Sequence, residues 1–317
     1  MDKEKRYSLP PSHRRSYTIG MIFTLTSAVL WGSTYPVIKI ALNYYNAYDI
    51  SLYRALFAAL SLSIYMGIAK KEMLPKKEEL PLLLLGAILG AAGFWTLLNA
   101  AVLFLAADAA SFLVALYPLF ALILATVILH EQMSGFAGVG IVLGIIGTFL
   151  IVSFGEGAGL TGSQPIFGAI LAVMAALSWA GYMITTRILV GRRRKSGQLV
   201  RPEYATFNNF LLAIPISLVF TIISGSGASF LAFSTTGLAY MAYLGILTSG
   251  VAFLIFNIGI KLIGVTAAAV NQLVFPAVAV IISYFALGET VNVPELAGMG
   301  LIIAGITIAQ ILSRRWS

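Results

Sequence analysis

The sequence predicts an all-α membrane protein of ten transmembrane helices, arranged as two inverted five-helix repeats with both termini inside. Three observations carry this: the composition, the spacing of the apolar stretches, and a residue pattern that recurs between the two halves. Of the 317 residues, 59% are hydrophobic and 10% are charged, and the mean hydropathy is +0.94. A soluble domain is about 45–50% apolar and about 25% charged. A chain of this length cannot enclose so much apolar surface in water, whereas lipid imposes no penalty on an apolar exterior.

Taken in order, residues 1–16, "MDKEKRYSLPPSHRRS", are charged and proline-containing and read as a short cytoplasmic tail. The apolar run that follows is too long for a signal-peptide core, and no small-residue cleavage site comes after it. A crossing needs about 20 apolar residues. That length places spans near 17–42, 49–69, 80–105, 107–129 and 133–153, then near 165–190, 202–223, 236–261, 265–287 and 293–312. Breaker-rich segments such as "KKEMLPKKEELP" and "GSGASFLAFSTT" separate them. The chain divides into a first repeat over 17–154, an external linker over 155–164 and a second repeat over 165–314.

Lys and Arg orient the spans. The N-terminal tail, residues 70–77, residues 192–201 and the C-terminal end hold 16 of the 20 basic residues, and Arg187 and Lys261 sit at helix ends on the same face. Only Lys39 and Arg54 remain for the outer side. This asymmetry puts both termini in the cytoplasm, in a multi-pass inner-membrane protein, and an odd number of spans would separate the two basic ends. The net charge of +8 therefore reflects topology rather than nucleic-acid binding.

The halves repeat at two offsets. Trp31 and Trp179 are 148 apart, as are Lys39 and Arg187, whereas Asn99 and Asn257, Pro118 and Pro276, Glu131 and Glu289, Gly140 and Gly298, and Gly147 and Gly305 are 158 apart. Five spans per half is an odd number, so the second half enters from the opposite face. Inverted repeats of this kind are characteristic of secondary transporters, which hold substrate near the midplane between the halves.

Other classes find no support. There is no Walker A, H-E-x-x-H or G-x-S-x-G motif in a suitable context. Cysteine is absent, and the two histidines, His13 and His130, lie far apart, so neither a metal site nor a cofactor is implied. Small residues four apart, such as Gly140 with Gly144 and Gly86 with Gly90, suit close helix packing. Some of these could form a dimer face, which leaves monomer and homodimer both open.

Polar residues inside the spans are costly in lipid and therefore informative. Trp31, Tyr35 and Lys39 recur every four residues and share a helix face, as do Trp179, Met183 and Arg187, and Trp95 with Asn99. Pro118 follows Tyr117 and Pro276 follows Phe275, and a proline within a span frees a carbonyl. These sets suggest an aromatic-lined cavity with a few polar anchors and two flexing helices. Blander readings stand beside them. Arg187 suits snorkelling to the basic interface, whereas Lys39 has either a paired or a substrate role on the outer side. Arg54 bonds Asp108, loop carbonyls or substrate. Asp108 alternatively caps the fourth span, Glu131 and Glu289 cap the helix that follows each, and Asn271 and Gln272 bind helices together. Every Asp and Glu lies at or beyond a span end, which favours an anionic, zwitterionic or planar solute over a hydrophobic cation.

With "LWGSTYPVIK" in the first span, Arg54 in the second, "AADAASFLVALYPLFALILATVILHE" at 106–131 and its echo "GVTAAAVNQLVFPAVAVIISYFALGE" at 264–289, the chain resembles the EamA-like branch of the drug/metabolite transporter superfamily. The resemblance covers about residues 18 to 312. It implies ten helices around a central cavity that works by alternating access, with a small metabolite such as an amino acid, or a drug, as the exported solute. Metabolite uptake or exchange is also known in such families. On these grounds Trp31, Tyr35, Lys39, Trp95, Asn99, Tyr117, Trp179, Tyr182, Asn257 and Asn271 are expected to line the cavity. Lys39, Arg54 and Asp108 are expected as gate or charge contacts, and Pro118 and Pro276 as hinges.

Overall fold

The computed structural model describes residues 11–105, 110, 113–131, 135–154, 163–194, 196–225, 234–287 and 291–309. Among these residues every regular element is helical, and an isolated antiparallel bridge joins Arg193 to Leu199. The α-helices are α1 (Pro11–Gly32), α2 (Thr34–Ala41), α3 (Ala47–Ile68), α4 (Leu80–Gly86), α5 (Trp95–Phe104), α6 (Tyr117–Leu129) and α7 (Gly135–Phe154). They continue as α8 (Pro165–Gly191), α9 (Pro202–Ile223), α10 (Thr235–Ala242), α11 (Ala252–Gln272), α12 (Val274–Leu287) and α13 (Val293–Thr307). Two π-helical segments join neighbours: Ala87–Phe94 links α4 to α5, and Tyr243–Val251 links α10 to α11.

The lengths and surfaces of these helices are those of a membrane solute. Ala47–Ile68, Leu80–Leu98, Pro165–Gly191, Pro202–Ile223 and Thr235–Gln272 are each long and apolar enough to cross, and Tyr117–Leu129, Gly135–Ile151 and Val293–Thr307 are shorter apolar helices. Their outer faces carry bare hydrocarbon: Val127, Ile222 and Phe285 are 66%, 65% and 81% exposed. In water such surfaces would drive aggregation, whereas lipid solvates them. The protein is a multi-pass membrane protein. The first helix begins at Pro11, inside the segment read from sequence as a tail.

Thr235–Gln272 spans 38 residues, or about 57 Å if straight at about 1.5 Å per residue, well beyond a hydrocarbon core of about 30 Å. It is interrupted at Gly264, whose φ of 83° is open to glycine without strain. Contacts with α1 reverse direction there. Gly20 packs on Ile263 and Thr24 on Gly259, whereas Thr24 then meets Asn271, Ser27 meets Gln272 and Gly32 packs on Val278. The chain therefore doubles back at Gly264.

Elsewhere glycine permits close approach. A Cβ on Gly147 would lie 2.5 Å from the carbonyl oxygen of Gly298, and one on Gly305 would lie 2.6 Å from that of Gly140. The two pairs run in opposite order along α7 and α13, so these helices cross antiparallel, backbone on backbone. Gly144 of the same face packs on Leu273, Gly86 on Asn209 and Gly90 on the Tyr182 ring.

On the basic face, the 70–79 and 192–201 segments are clasped together. Arg194 donates from Nε and Nη2 to the two carboxylate oxygens of Glu79 at 2.7 and 2.9 Å, and from Nη1 to Glu72. Its guanidinium carbon lies 4.8 Å from the centre of the Tyr204 ring. Lys71 bonds both Glu203 and the Tyr65 hydroxyl at 2.7 Å, and Asn208 donates to the Met73 carbonyl at 3.1 Å. Burial alone would raise the carboxyl pKa of Glu79 and of Glu72. The hydrogen bonds from Arg194, joined at Glu72 by one from Lys76, outweigh it and hold both below the ordinary range.

Two outcomes follow from this packing. Gly147→Leu is expected to cost about 1–3 kcal/mol by overpacking and to lower the unfolding temperature in detergent by several degrees. Gly138→Ala, where nothing lies within 4 Å of the new Cβ, leaves it unchanged or slightly higher. The clasp has a pH signature as well. With the folded pKa of Glu79 and Glu72 depressed, its stability is fully present above the unfolded carboxylate value of about 4.3 and is lost as pH falls through the lower folded value. The unfolding temperature of the native protein should therefore drop between about pH 5 and about pH 3, and Arg194→Met should flatten that drop.

Candidate functional site

Where α1, α8, α11 and the start of α5, α6 and α12 converge, a narrow cavity is lined by Trp31, Thr34, Phe94, Trp95, Val114, Tyr117, Trp179, Phe253 and Phe275. None of these side chains is charged. The three from the second half, Trp179, Phe253 and Phe275, stand 148, 158 and 158 residues after Trp31, Trp95 and Tyr117.

The π segments aim two of these rings. Adding one residue per turn shifts the face that the following residues present, and Trp95 and Phe253 come directly after or two residues after such a segment. A Cβ on Gly93 would collide with the Ile88 carbonyl oxygen, so this winding requires glycine there. The rings then lock edge to face. Trp31 meets Trp179 and Phe253 at centroid distances of 5.2 Å and Phe256 at 5.0 Å, with interplanar angles of 81°, 77° and 65°. Trp179 stacks on Tyr182 at 5.1 Å. Such geometry places the positive edge of one ring on the negative face of another.

A buried cation sits behind this wall. Arg54, 2% exposed, donates from Nε to Ser249 Oγ at 3.0 Å and from Nη2 to Thr248 Oγ1 at 3.4 Å. Its guanidinium carbon lies 3.8 Å from the centre of the Trp95 ring, a stack worth about 2 kcal/mol when desolvated. The Trp31 indole donates to the Thr248 carbonyl at 2.8 Å. Sequence reasoning weighed Asp108, loop carbonyls or substrate for Arg54 and missed the "TS" of the second π segment. Asp108 lies outside the described residues.

Not every expected residue meets the cavity in this conformation. Trp31, Trp95, Tyr117 and Trp179 line it. Tyr182 and Asn257 are fully buried beside it: the Asn257 amide nitrogen bonds the Tyr182 hydroxyl and Thr206 Oγ1, both at 2.8 Å. Asn271 donates to Thr24 Oγ1 at 2.7 Å, and Gln272 to the Thr24 carbonyl at 2.8 Å, fastening α11 to α1. Tyr35 and Lys39 fall on α2 and Asn99 on α5, and their side chains lie outside the described set. Pro118 and Pro276 occupy the first turns of α6 and α12, immediately after breaks at 115–116 and 273.

The sequence profile of the EamA-like transporter family matches residues 18–153 and 166–310. The chain belongs to that family, within the drug/metabolite transporter superfamily. It is 28% identical to a probable terminal-alkyne amino-acid exporter of Streptantibioticus cattleyicolor, over 89% of this chain and 90% of the relative. It is 26% identical to the uncharacterized transporter YdfC of Bacillus subtilis, over 87% of this chain and 86% of that one. It is 25% identical to the uncharacterized inner membrane transporter YedA of Escherichia coli, over 92% and 90%. A solved crystal structure at 16% identity covers 94% of this chain and 98% of its own with a TM-score of 0.81, which shows a shared fold.

Within this EamA-like protein the Asn257 network is open to a direct test. Asn257→Leu removes the amide that serves both the Tyr182 hydroxyl and Thr206 Oγ1, although Thr206 Oγ1 keeps its bond to the Pro202 carbonyl. The substitution is expected to cost about 1–3 kcal/mol, read as a lower unfolding temperature in detergent. Thr206→Val, which removes only one arm, should cost less.

Proposed function

We propose that this chain is a secondary carrier that exports amino acids or related small metabolites across the inner membrane, by alternating access through the aromatic cavity. One observation carries the reading. Each second-half residue on the cavity wall stands at the repeat position of a first-half residue on the same wall: Trp179 for Trp31, Phe253 for Trp95 and Phe275 for Tyr117. A site shared in this way between two copies of one motif can be exposed to either side as one copy rocks against the other.

The reading takes ten spans as two inverted five-helix repeats, over 17–154 and 165–314, with both termini in the cytoplasm. Several features support it. The π segments fall at near-equivalent places in the halves. Gly140 meets Gly305 while Gly147 meets Gly298, a contact pattern unchanged when the halves are exchanged. The basic segments 70–77 and 192–201 clasp on one face, as the positive-inside rule asks. The breaks ahead of Pro118 and Pro276 suit them as flexing points, and Lys39 is the candidate charge at the outer gate.

The wall also limits the solute. Without a carboxylate it has nothing to exchange between a cation and a proton, and its rings favour a planar or apolar body. An amino acid with an aromatic or unsaturated side chain fits, its carboxylate drawn towards the end that holds Arg54. The uncharged rings also suit a broad drug exporter, and competition by planar cations separates the two readings.

Three of the four tryptophans, Trp31, Trp95 and Trp179, line the cavity, so intrinsic fluorescence reports occupancy directly. Phenylalanine or propargylglycine is expected to change the emission saturably, with most of the change lost in Trp179→Phe and retained in Trp316→Phe. The same solutes should show counterflow in proteoliposomes. A flat titration together with no counterflow of amino acids or dyes sinks the carrier reading.

A further inference from the structure

We infer that Glu131 and Arg187 form the cytoplasmic gate of this carrier, a latch that opens when the cavity turns inward. The inference rests on the alternating-access reading above. From sequence, Glu131 was expected to cap the helix that follows it and Arg187 to snorkel. Among the described residues both side chains turn to one bend of the chain. Glu131 reaches across to the doubled-back chain at Gly264, where Oε1 accepts the Val265 N–H at 3.2 Å and Oε2 accepts the N–H and hydroxyl of Thr266 at 3.4 and 3.3 Å. Arg187 turns inward, with Nε 3.6 Å from Glu131 Oε1 and Nη1 donating to the carbonyls of Ile260 and Lys261 at 3.1 and 2.7 Å.

The two side chains close a ring around one bend. The guanidinium satisfies carbonyls at the end of the limb that enters Gly264, and the carboxylate satisfies N–H groups at the start of the limb that leaves it. Each charge complements the partial charge of the helix end it meets. The ring joins α6 of the first half to α8 and α11 of the second, so relative motion of the halves must break it.

Its depth suits a gate. Along α8 the order is Trp179 on the cavity, Tyr182 in the buried network, then Arg187, which is about 12 Å from Trp179 towards the basic face at about 1.5 Å per residue. Along α11 the order is Phe253, Asn257, then Ile260 and Lys261. The aromatic wall, the amide layer and the latch thus stack in sequence between the cavity and the cytoplasmic end. Arg187 and Glu131 keep 34% and 21% of their side-chain surface exposed, so water can receive both charges when the pair parts. In sequence their repeat counterparts are Lys39 and Glu289, which gives the opposite end the same pair of signs.

The absence of native cysteine makes the test direct. A reporter thiol at Val114→Cys, on the cavity wall, is labelled in oriented membrane vesicles with a membrane-impermeant methanethiosulfonate from either face. In Glu131→Gln, which keeps an oxygen for the Val265 N–H but removes the charge, labelling from the cytoplasmic face is expected to rise about tenfold while outer labelling slows. Arg187→Gln leaves the Glu131 cap in place and should give the same shift, so it serves if the first variant fails to fold. Folding is checked for both by size-exclusion profile and unfolding temperature. Wild-type labelling rates from both faces in folded variants overturn the gate and leave the carrier reading intact. If the reporter reacts from neither face in any background, the carrier reading fails and the gate with it.

Discussion

The constraint on which this structure depends is that lipid offers no hydrogen bonds. Every polar group within the spans must find its partner inside the protein or in a water-filled cavity. The consequences run through the whole molecule. Thr24, Asn271 and Gln272 tie α1 to the second limb of the doubled-back chain, and Tyr182, Asn257 and Thr206 tie α8, α9 and α11 together. Where no side chain mediates, glycines bring backbone against backbone, as between α7 and α13. The fold is held by close packing and a few polar ties, because lipid supplies no hydrophobic drive between helices.

The same constraint explains why the cavity is aromatic. A polar wall at this depth would have to stay hydrated or paired through every movement. Aromatic rings instead give one another favourable edge-to-face contacts and need no hydration. The π segments serve this arrangement by turning Trp95 and Phe253 inward, and Arg54 braces the back of Trp95 from its seat on Thr248 and Ser249. Charge stays behind the wall and at the ends of the bundle, and is missing from the wall itself.

Much of this was legible in the sequence, and the limits have physical reasons. Composition and spacing revealed the apolar helices because lipid leaves their outer faces uniformly apolar. Helical periodicity singled out Trp31, Trp95 and Trp179, which line one cavity, because an inward face shows in a four-residue rhythm. That rhythm cannot say whether an inward polar residue meets a solute or another helix. Asn257 and Asn271 carry the same signal as Trp95, yet both spend their amides on neighbouring hydroxyls. Nothing in "AILGAAGF" or "YLGILTSGV" announces a π-helix, since an α-helix differs there by a single hydrogen-bond register. Nor can local sequence show that Glu131 caps a helix 134 residues away.

On the proposed carrier reading, that long-range cap bears on how an uncharged site can switch at all. If the charges lay on the cavity wall, each movement would carry them through changing hydration, and their desolvation would dominate the barrier. Here the ionic contact between Glu131, just past α6, and Arg187 of α8 leaves both partners partly exposed. Breaking it exchanges protein partners for water at modest cost, unlike the rupture of a fully buried pair. On the proposed carrier reading, charge at the rim and rings at the centre would keep the desolvation of charge out of the barrier between the two states.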